Sequence, residues 1–306
     1  MAAQSILGRL DPAAIVTDPF PHLVAAEALA PDYYAALASA FPDVATITGS
    51  AKLANNRAYR MTAPKALAHP TVAPVWREFV DYHCSDAYLR ELVRFWGVAL
   101  AREYPRFEAM VGKPLPELSG ALRRSSRKRK YDPANLNADV ALDCQFVVNS
   151  PVRERGSVRG PHLDQPYTLF AALFYFRDPA DGSEGGDLEL YRLRGTGSRF
   201  DTHYHVAPEA VTAFRTVRYA PNTLVMWLNT PDALHGVTPR AVTEAPRRYV
   251  NFVADCYGLA TDRLFEVPRT PAAAVKEWVQ HALRERLLRR GRPGAGGSPP
   301  SGRMRT

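Results

Sequence analysis

From residue 141 to residue 255 the chain is cut into short runs rich in Val, Phe, Tyr, Leu and Thr, separated by clusters of Gly, Pro, Asp and Asn. No helical periodicity intervenes. Consecutive strands without crossover helices cannot build a parallel βαβ sheet, so this stretch points to an all-β barrel or sandwich. Strands are expected near 143–149, 160–165, 168–176, 187–193, 202–206, 213–219, 222–229, 233–238 and 247–255.

The flanks read differently. In FPHLVAAEALAPDYYAALASAFPD, Pro31 and Asp32 open a short helix that ends near Pro42. Residues 74–111 place Val75, Phe79, Tyr82, Leu89, Leu92, Val93, Trp96, Val98 and Leu100 at mostly three- and four-residue spacings with charges between them, which predicts a helical layer. Thr270 and Pro271 form an N-cap and first-turn pair for a helix running to Gly291. Beyond it, GRPGAGGSPPSGRMRT has too little apolar surface to offset its ordering entropy. The expected organisation is α+β by segregation: a helical N-terminal layer over 1–140 packed on a β core over 141–260, a C-terminal helix over 261–290, and a disordered basic tail over 291–306.

Composition narrows the class of partner. With 46% hydrophobic and 23% charged residues over 306 positions the chain is an ordinary globular one. Its net charge of +8 is concentrated in two places, Arg123 to Lys130 and the stretch from Arg284 onward, each worth +6; without those twelve charges the remainder is four negative. A slightly acidic body with one basic loop and one basic tail is no phosphate-tracking groove, so a nucleic-acid partner is not expected and Arg123 to Lys130 reads as a solvated loop. The most apolar runs, 168–176 and 223–228, are far short of the ~20 residues that cross a bilayer, so no membrane partner is expected either. Cys84, Cys144 and Cys256 lie far apart with no CxxC pair, and Arg9 and Asp11 interrupt the apolar N-terminus. Both features suit a cytoplasmic protein without a secretory signal.

The chemistry is concentrated in GPHLDQPYTLFAALFYFRDP, where His162 and Asp164 stand two apart. Strand residues i and i+2 share a face, so one metal ion can be reached by both. A second segment, PNTLVMWLNTPDALHGVTPR, brings His235, 71 positions beyond Asp164. Two His and one carboxylate form the facial set that leaves three positions open on octahedral Fe(II), room for a bidentate 2-oxo acid and O2. On the last strand, 12 residues past His235, Arg247 and Arg248 offer a fork-shaped ion pair to the far carboxylate of such an acid. Strand pleating lets only one of them point inward.

The order HxD, a GG-D-L-E-L-Y strand, an apolar strand ending near Asn229, HGVTP and a terminal-strand Arg resembles the prolyl-hydroxylase-like branch of the 2-oxoglutarate and Fe(II)-dependent dioxygenases. The resemblance covers about residues 141–255. It implies a double-stranded β-helix (jelly-roll) barrel as the catalytic core, Fe(II) held by His162, Asp164 and His235 as metal ligands and catalytic centre, 2-oxoglutarate and O2 as cosubstrates with ascorbate compatible, and hydroxylation of a small molecule or side chain with release of succinate and CO2. Gly185 and Gly186 match the family's tight turn before a strand. Arg247 is the favoured 2-oxoglutarate anchor, because Tyr249 shares its face where the family often has Ser; Arg248 is the alternative. Gln145 and Asn149 fall where the family makes cosubstrate or substrate contacts, or else on a polar face turned to solvent. Tyr175 and Tyr191 offer hydroxyls to the same carboxylate but read first as core. Arg153, Arg155 and Arg159 flank HxD and read as a solvated loop that can also receive an anionic substrate group. The competing readings are a non-catalytic barrel and a cupin-type one, the latter binding metal through the same-face pair His203 and His205.

Overall fold

The structure is a computed structural model that describes residues 3–50, 52–124, 133–195, 197–259, 263–276 and 278–279. Helices α1 (Pro31–Ser39), α2 (Val44–Thr48), α3 (Ala63–Ala68), α4 (Pro74–His83), α5 (Asp86–Glu103) and α6 (Phe107–Val111) all lie in the N-terminal part. Strands β1 (His22–Ala25), β2 (Ala58–Met61) and β3 (Gly120–Leu122) are interspersed among them. The sheet-rich part follows: β4 (Val140–Asn149), β5 (Thr168–Tyr175), β6 (Leu188–Leu193), β7 (Val211–Val217), β8 (Leu224–Leu228), β9 (His235–Val237) and β10 (Arg247–Asp255).

Two sheets result. The larger has seven strands in the order β1-β8-β5-β10-β4-β2, with β3 parallel to β4 and every other pairing antiparallel. The smaller has the order β7-β6-β9. From β4 to β10 the chain passes between the sheets at β5–β6, β7–β8, β8–β9 and β9–β10, while β4–β5 and β6–β7 each stay within one sheet, an arrangement consistent with a jelly roll. Among the described residues the two sheets stay separate rather than closing into one hydrogen-bonded barrel.

Both faces of the central strands are buried, and β4 is buried at every position. Register sorts the faces: Phe146 pairs with Val250, and Cys144 with Phe252, on the side that receives the helices. There Trp76 of α4 meets Phe146 edge-on at 4.7 Å between ring centroids, Phe79 meets Phe252 at 6.1 Å and Trp96 of α5 meets Phe170 at 5.8 Å. Each such side chain, fully buried, contributes about 1.5–3 kcal/mol of hydrophobic stabilisation. The opposite face, carrying Gln145, Tyr249, Asn251 and Trp227, looks toward the smaller sheet.

The helical stretch expected over 74–111 is broken into three. Ser85 caps α5 by accepting from the Tyr88 amide at 3.3 Å, which stops α4 at His83. Pro105 then follows the end of α5, and Gly112 at φ +84 ends α6. Two expected strands did not form. At 160–165 only His162 bridges to neighbours, because Pro161 and Pro166 withhold ladder donors. At 202–206 the Asp201 carboxylate accepts from the amides of His203 and His205 at 2.7 and 2.9 Å, folding the segment into a turn with Tyr204 at φ +64. The N-terminal part is also less purely helical than expected, since β1, β2 and β3 extend the large sheet. Helix follows Thr270 over 271–276 as expected, with the Thr270 hydroxyl accepting from Ala273 at 3.3 Å. Helix is also present at 278–279, whereas residue 277, the stretch from 280 on, including the tail over 291–306, and Arg127 to Lys130 lie outside the described residues.

Candidate active site

His162 and His235 are locked backbone to backbone: the His162 amide donates to the His235 carbonyl at 2.9 Å, and the His235 amide returns to the His162 carbonyl at 3.0 Å. Each ring places Nδ1 on a carbonyl two residues back, His162 on Gly160 at 2.8 Å and His235 on Ala233 at 3.0 Å. Donation from Nδ1 leaves Nε2 as the lone-pair nitrogen, the tautomer a metal ligand requires. Asp164 Oδ2 lies 3.9 Å from His235 Nε2, and one ligand atom from each of His162, Asp164 and His235 lies within 4.8 Å of the others. All three residues are buried, and His162 Nε2 has no hydrogen-bond partner among the described residues. Burial is the main cause that pushes the His162 imidazole well below its ordinary pKa, with the neighbouring His235 adding to it. Burial lowers His235 too, against an opposing pull from Asp164. Neutral imidazoles, an aimed carboxylate and an orphaned Nε2 fit a divalent cation with open coordination positions.

These donors sit in a cleft of about 600 Å³ between the two sheets. Trp227 packs its ring 4.5 Å from His235, and Leu173, Leu188, Val237 and Val253 supply apolar wall. Gln145 lines the cleft; its Nε2 donates to Asp143 at 2.7 Å and its Oε1 accepts from Asn251 at 3.2 Å. Asn149 is buried on the same strand face, opposite Arg247 in register, with its Oδ1 unpartnered among the described residues. Neither Gln145 nor Asn149 is on a solvent-facing surface.

Arg247 and Arg248 diverge as the pleat demands. Arg248 points out, to Asp178 at 2.9 Å and the Phe176 carbonyl at 3.2 Å. Arg247 is 1% exposed, and none of its guanidinium nitrogens has a hydrogen-bond partner among the described residues. Instead its Cζ lies 4.9, 5.0 and 4.7 Å from the ring centres of Tyr175, Tyr219 and Tyr249. The Tyr175 hydroxyl, beside Arg247, likewise meets no hydrogen-bond acceptor among the described residues, and burial pushes its pKa up, so it remains a neutral donor. A buried cation lined by π-faces, with a spare hydroxyl beside it, is chemically incomplete without an anion. Tyr249 lines the cleft and Arg247 packs behind it.

Other sequence expectations sort as follows. Tyr191 donates to Glu189 at 2.6 Å and so is satisfied locally, whereas Tyr175 is not. His205 reaches the cleft and bridges to His162, and His203 is exposed beside it, but the pair gathers no third metal donor among the described residues. Arg153 and Arg155 are exposed, while Arg159 is half-buried on the cleft wall. Arg123 departs from the expected solvated loop: it is buried, ion-paired to Asp143 and to Asp255, the latter at 2.8 Å, because β3 runs beside β4 and draws the start of the basic run inside. Sequence reasoning missed Tyr219, Asn251, Trp227 and Asp143, none of which carries a local motif.

No family model matches the chain, and no curated protein matches it. Among solved structures it is similar to a prolyl-4-hydroxylase from Pseudomonas putida, at 15% identity over 80% of this chain and 97% of that one, TM-score 0.41. It is similar to prolyl 4-hydroxylases from Phytophthora capsici, at 14% identity over 87% and 68%, TM-score 0.44. A prolyl hydroxylase from Trichoplax adhaerens, solved with a peptide fragment of the hypoxia inducible factor oxygen degradation domain, is similar at 10% identity over 80% and 89%, TM-score 0.37. At such TM-scores the likenesses stand beside the geometry without adding to it.

Proposed function

We propose that the chain is an Fe(II)- and 2-oxoglutarate-dependent oxygenase that hydroxylates an unactivated C–H of a small molecule or side chain, with release of succinate and CO2. The observation that carries this reading is the pairing of the buried His162, Asp164 and His235 donors with a second buried group, Arg247, that lacks an anion. The β core over 141–260 is read as a double-stranded β-helix, with 1–140 packed on it and 261–290 following.

His162 and His235 would hold Fe(II) through Nε2, and Asp164 through its carboxylate. Bound there, the metal supplies oxidative decarboxylation of the 2-oxo acid by O2 and oxidation of the substrate C–H. The protein's own part is positioning. Arg247 would take the far carboxylate of 2-oxoglutarate by two parallel N–H donations, and the Tyr175 hydroxyl would donate to the same carboxylate. Gln145 and Asn149 would orient the cosubstrate or substrate from β4. Trp227, Leu188 and Val237 would keep bulk water from the reacting atoms.

Anaerobic titration of the metal-free protein with Fe(II) and 2-oxoglutarate tests the reading. The visible charge-transfer band of the chelate is expected in the wild type and absent in His162→Ala. A wild-type protein that binds Fe(II) without that band on adding 2-oxoglutarate would overturn it.

A further inference from the structure

The cleft wall beyond the metal donors is basic. β2 lies on the edge of the large sheet, where Arg60 pairs with Val147 and Val147 with Tyr249. Paired residues project to one side of a sheet, so Arg60 shares the inward face of Tyr249. Arg57 immediately precedes β2, and Arg159 stands three residues before His162. All three line the cleft together with His203 and His205, and Asp164 is the sole carboxylate among the lining residues.

Arg123, Arg177, Arg192, Arg240 and Arg248 each face a carboxylate. Among the described residues Arg57 and Arg60 form no ion pair. The charge of Arg159 is felt at His162, His205 and His235, where it helps hold the imidazoles neutral. Arg57 and Arg60, positive groups without an ion pair among the described residues, line a concave site and so focus field onto it and raise the local concentration of anions. A volume of about 600 Å³ suits a small molecule.

We propose that Arg57, Arg60 and Arg159 form an oxyanion subsite, so that the substrate is a small molecule bearing a carboxylate or phosphate that this wall grips while the carbon to be oxidised faces the metal donors. The assignment of that carbon rests on the oxygenase reading; the anion subsite itself does not. Arg247 is a separate cation, packed against the Tyr249 ring and not among the residues that line the cleft. Planar guanidinium forks are the side chains best matched to oxyanions, and three on one wall give orientation as well as affinity.

The test is calorimetric titration of the metal-free protein with inorganic phosphate and, separately, malonate, with Mn(II) binding followed by electron paramagnetic resonance in the same preparations. Arg60→Gln and Arg159→Gln should each weaken anion binding about tenfold, as loss of one charge-assisted contact does. Arg60→Lys should recover part of it. Phosphate outbinding malonate assigns a phosphorylated substrate, and the reverse a carboxylated one. Absence of saturable binding by either anion, or full binding in the Arg60→Gln/Arg159→Gln double variant, overturns the subsite even if Mn(II) binds normally. Failure of Mn(II) to bind while both anions do would sink the oxygenase reading and leave the subsite standing.

Discussion

A guanidinium without an acceptor is among the costliest groups a protein interior can hold, and Arg247 has none among the described residues. The three tyrosine faces offset part of that cost and cannot supply a hydrogen bond. Arg247→Met should therefore raise the stability of the ligand-free protein by on the order of 1 kcal/mol while weakening 2-oxoglutarate binding at least tenfold, as read by urea denaturation and by calorimetry. Arg248→Met, which loses only a partly exposed pair to Asp178, should change neither by much. A destabilised Arg247→Met protein with unaltered 2-oxoglutarate affinity would remove the anchor role. At the metal donors, His162→Ala, Asp164→Ala and His235→Ala should each abolish Mn(II) binding while His203→Ala retains it, since among the described residues the first three converge and His203 does not join them. The donor set was legible because it is local: two ligands stand two apart and the third follows a recognisable strand and loop. The tyrosines around Arg247 were not, since Tyr175, Tyr219 and Tyr249 come from separate stretches and meet only once β5 and β10 are in register.

Among elements, the turn before β6 does the most to place Arg247. Gly185 at φ +77 passes so close to the Pro239 carbonyl that a Cβ would lie 2.0 Å from its oxygen. Gly186 at φ +76 would set a Cβ 3.3 Å from Arg247 Cδ. No L-residue fits the first position without backbone movement, so Gly185→Ala should cost roughly 3 kcal/mol, measured by the urea midpoint. Gly186→Ala should cost less stability but should displace the guanidinium, so its signature is loss of 2-oxoglutarate affinity beyond its loss of stability. The core strands from β4 to β10 were readable because apolar runs and turn residues alternate at strand length. The strands that failed, 160–165 and 202–206, were undone by chemistry that run-length reading overlooks: flanking prolines in one, an Asp201 turn in the other. β1 and β2 escaped notice for the opposite reason, since four-residue strands gain their stability from the neighbours they pair with rather than from any pattern of their own.

Across the whole molecule, the interior is built to hold neutral histidines. His22 lies against Phe20 and Phe214, and His83 is packed between Phe79, Tyr88 and Phe252 on the helix-covered face. His162 and His235 lie on the other side of the large sheet, in the cleft. Burial lowers the pKa of all four, to about 3 for His83. In the unfolded chain each returns to about 6.5. Below that value the unfolded state takes up protons that the folded state refuses, so stability is fully present above about pH 6.5 and is lost as the pH falls toward the folded-state values. Each such histidine contributes up to about 1.4 kcal/mol per pH unit in that window. Urea midpoints of the metal-free protein should therefore fall steeply between pH 6.5 and 5, before most carboxylates begin to titrate. The His83→Gln variant should show a shallower slope than wild type, because one of the refused protons is gone. Mn(II) should raise the midpoints by a nearly constant amount across that window, because the folded His162 and His235 stay unprotonated there and remain available to bind it. Midpoints unmoved by Mn(II) would mean that these two imidazoles do not bind it, and a flat profile in the metal-free protein would mean that the folded interior accepts the protons that burial is here said to exclude.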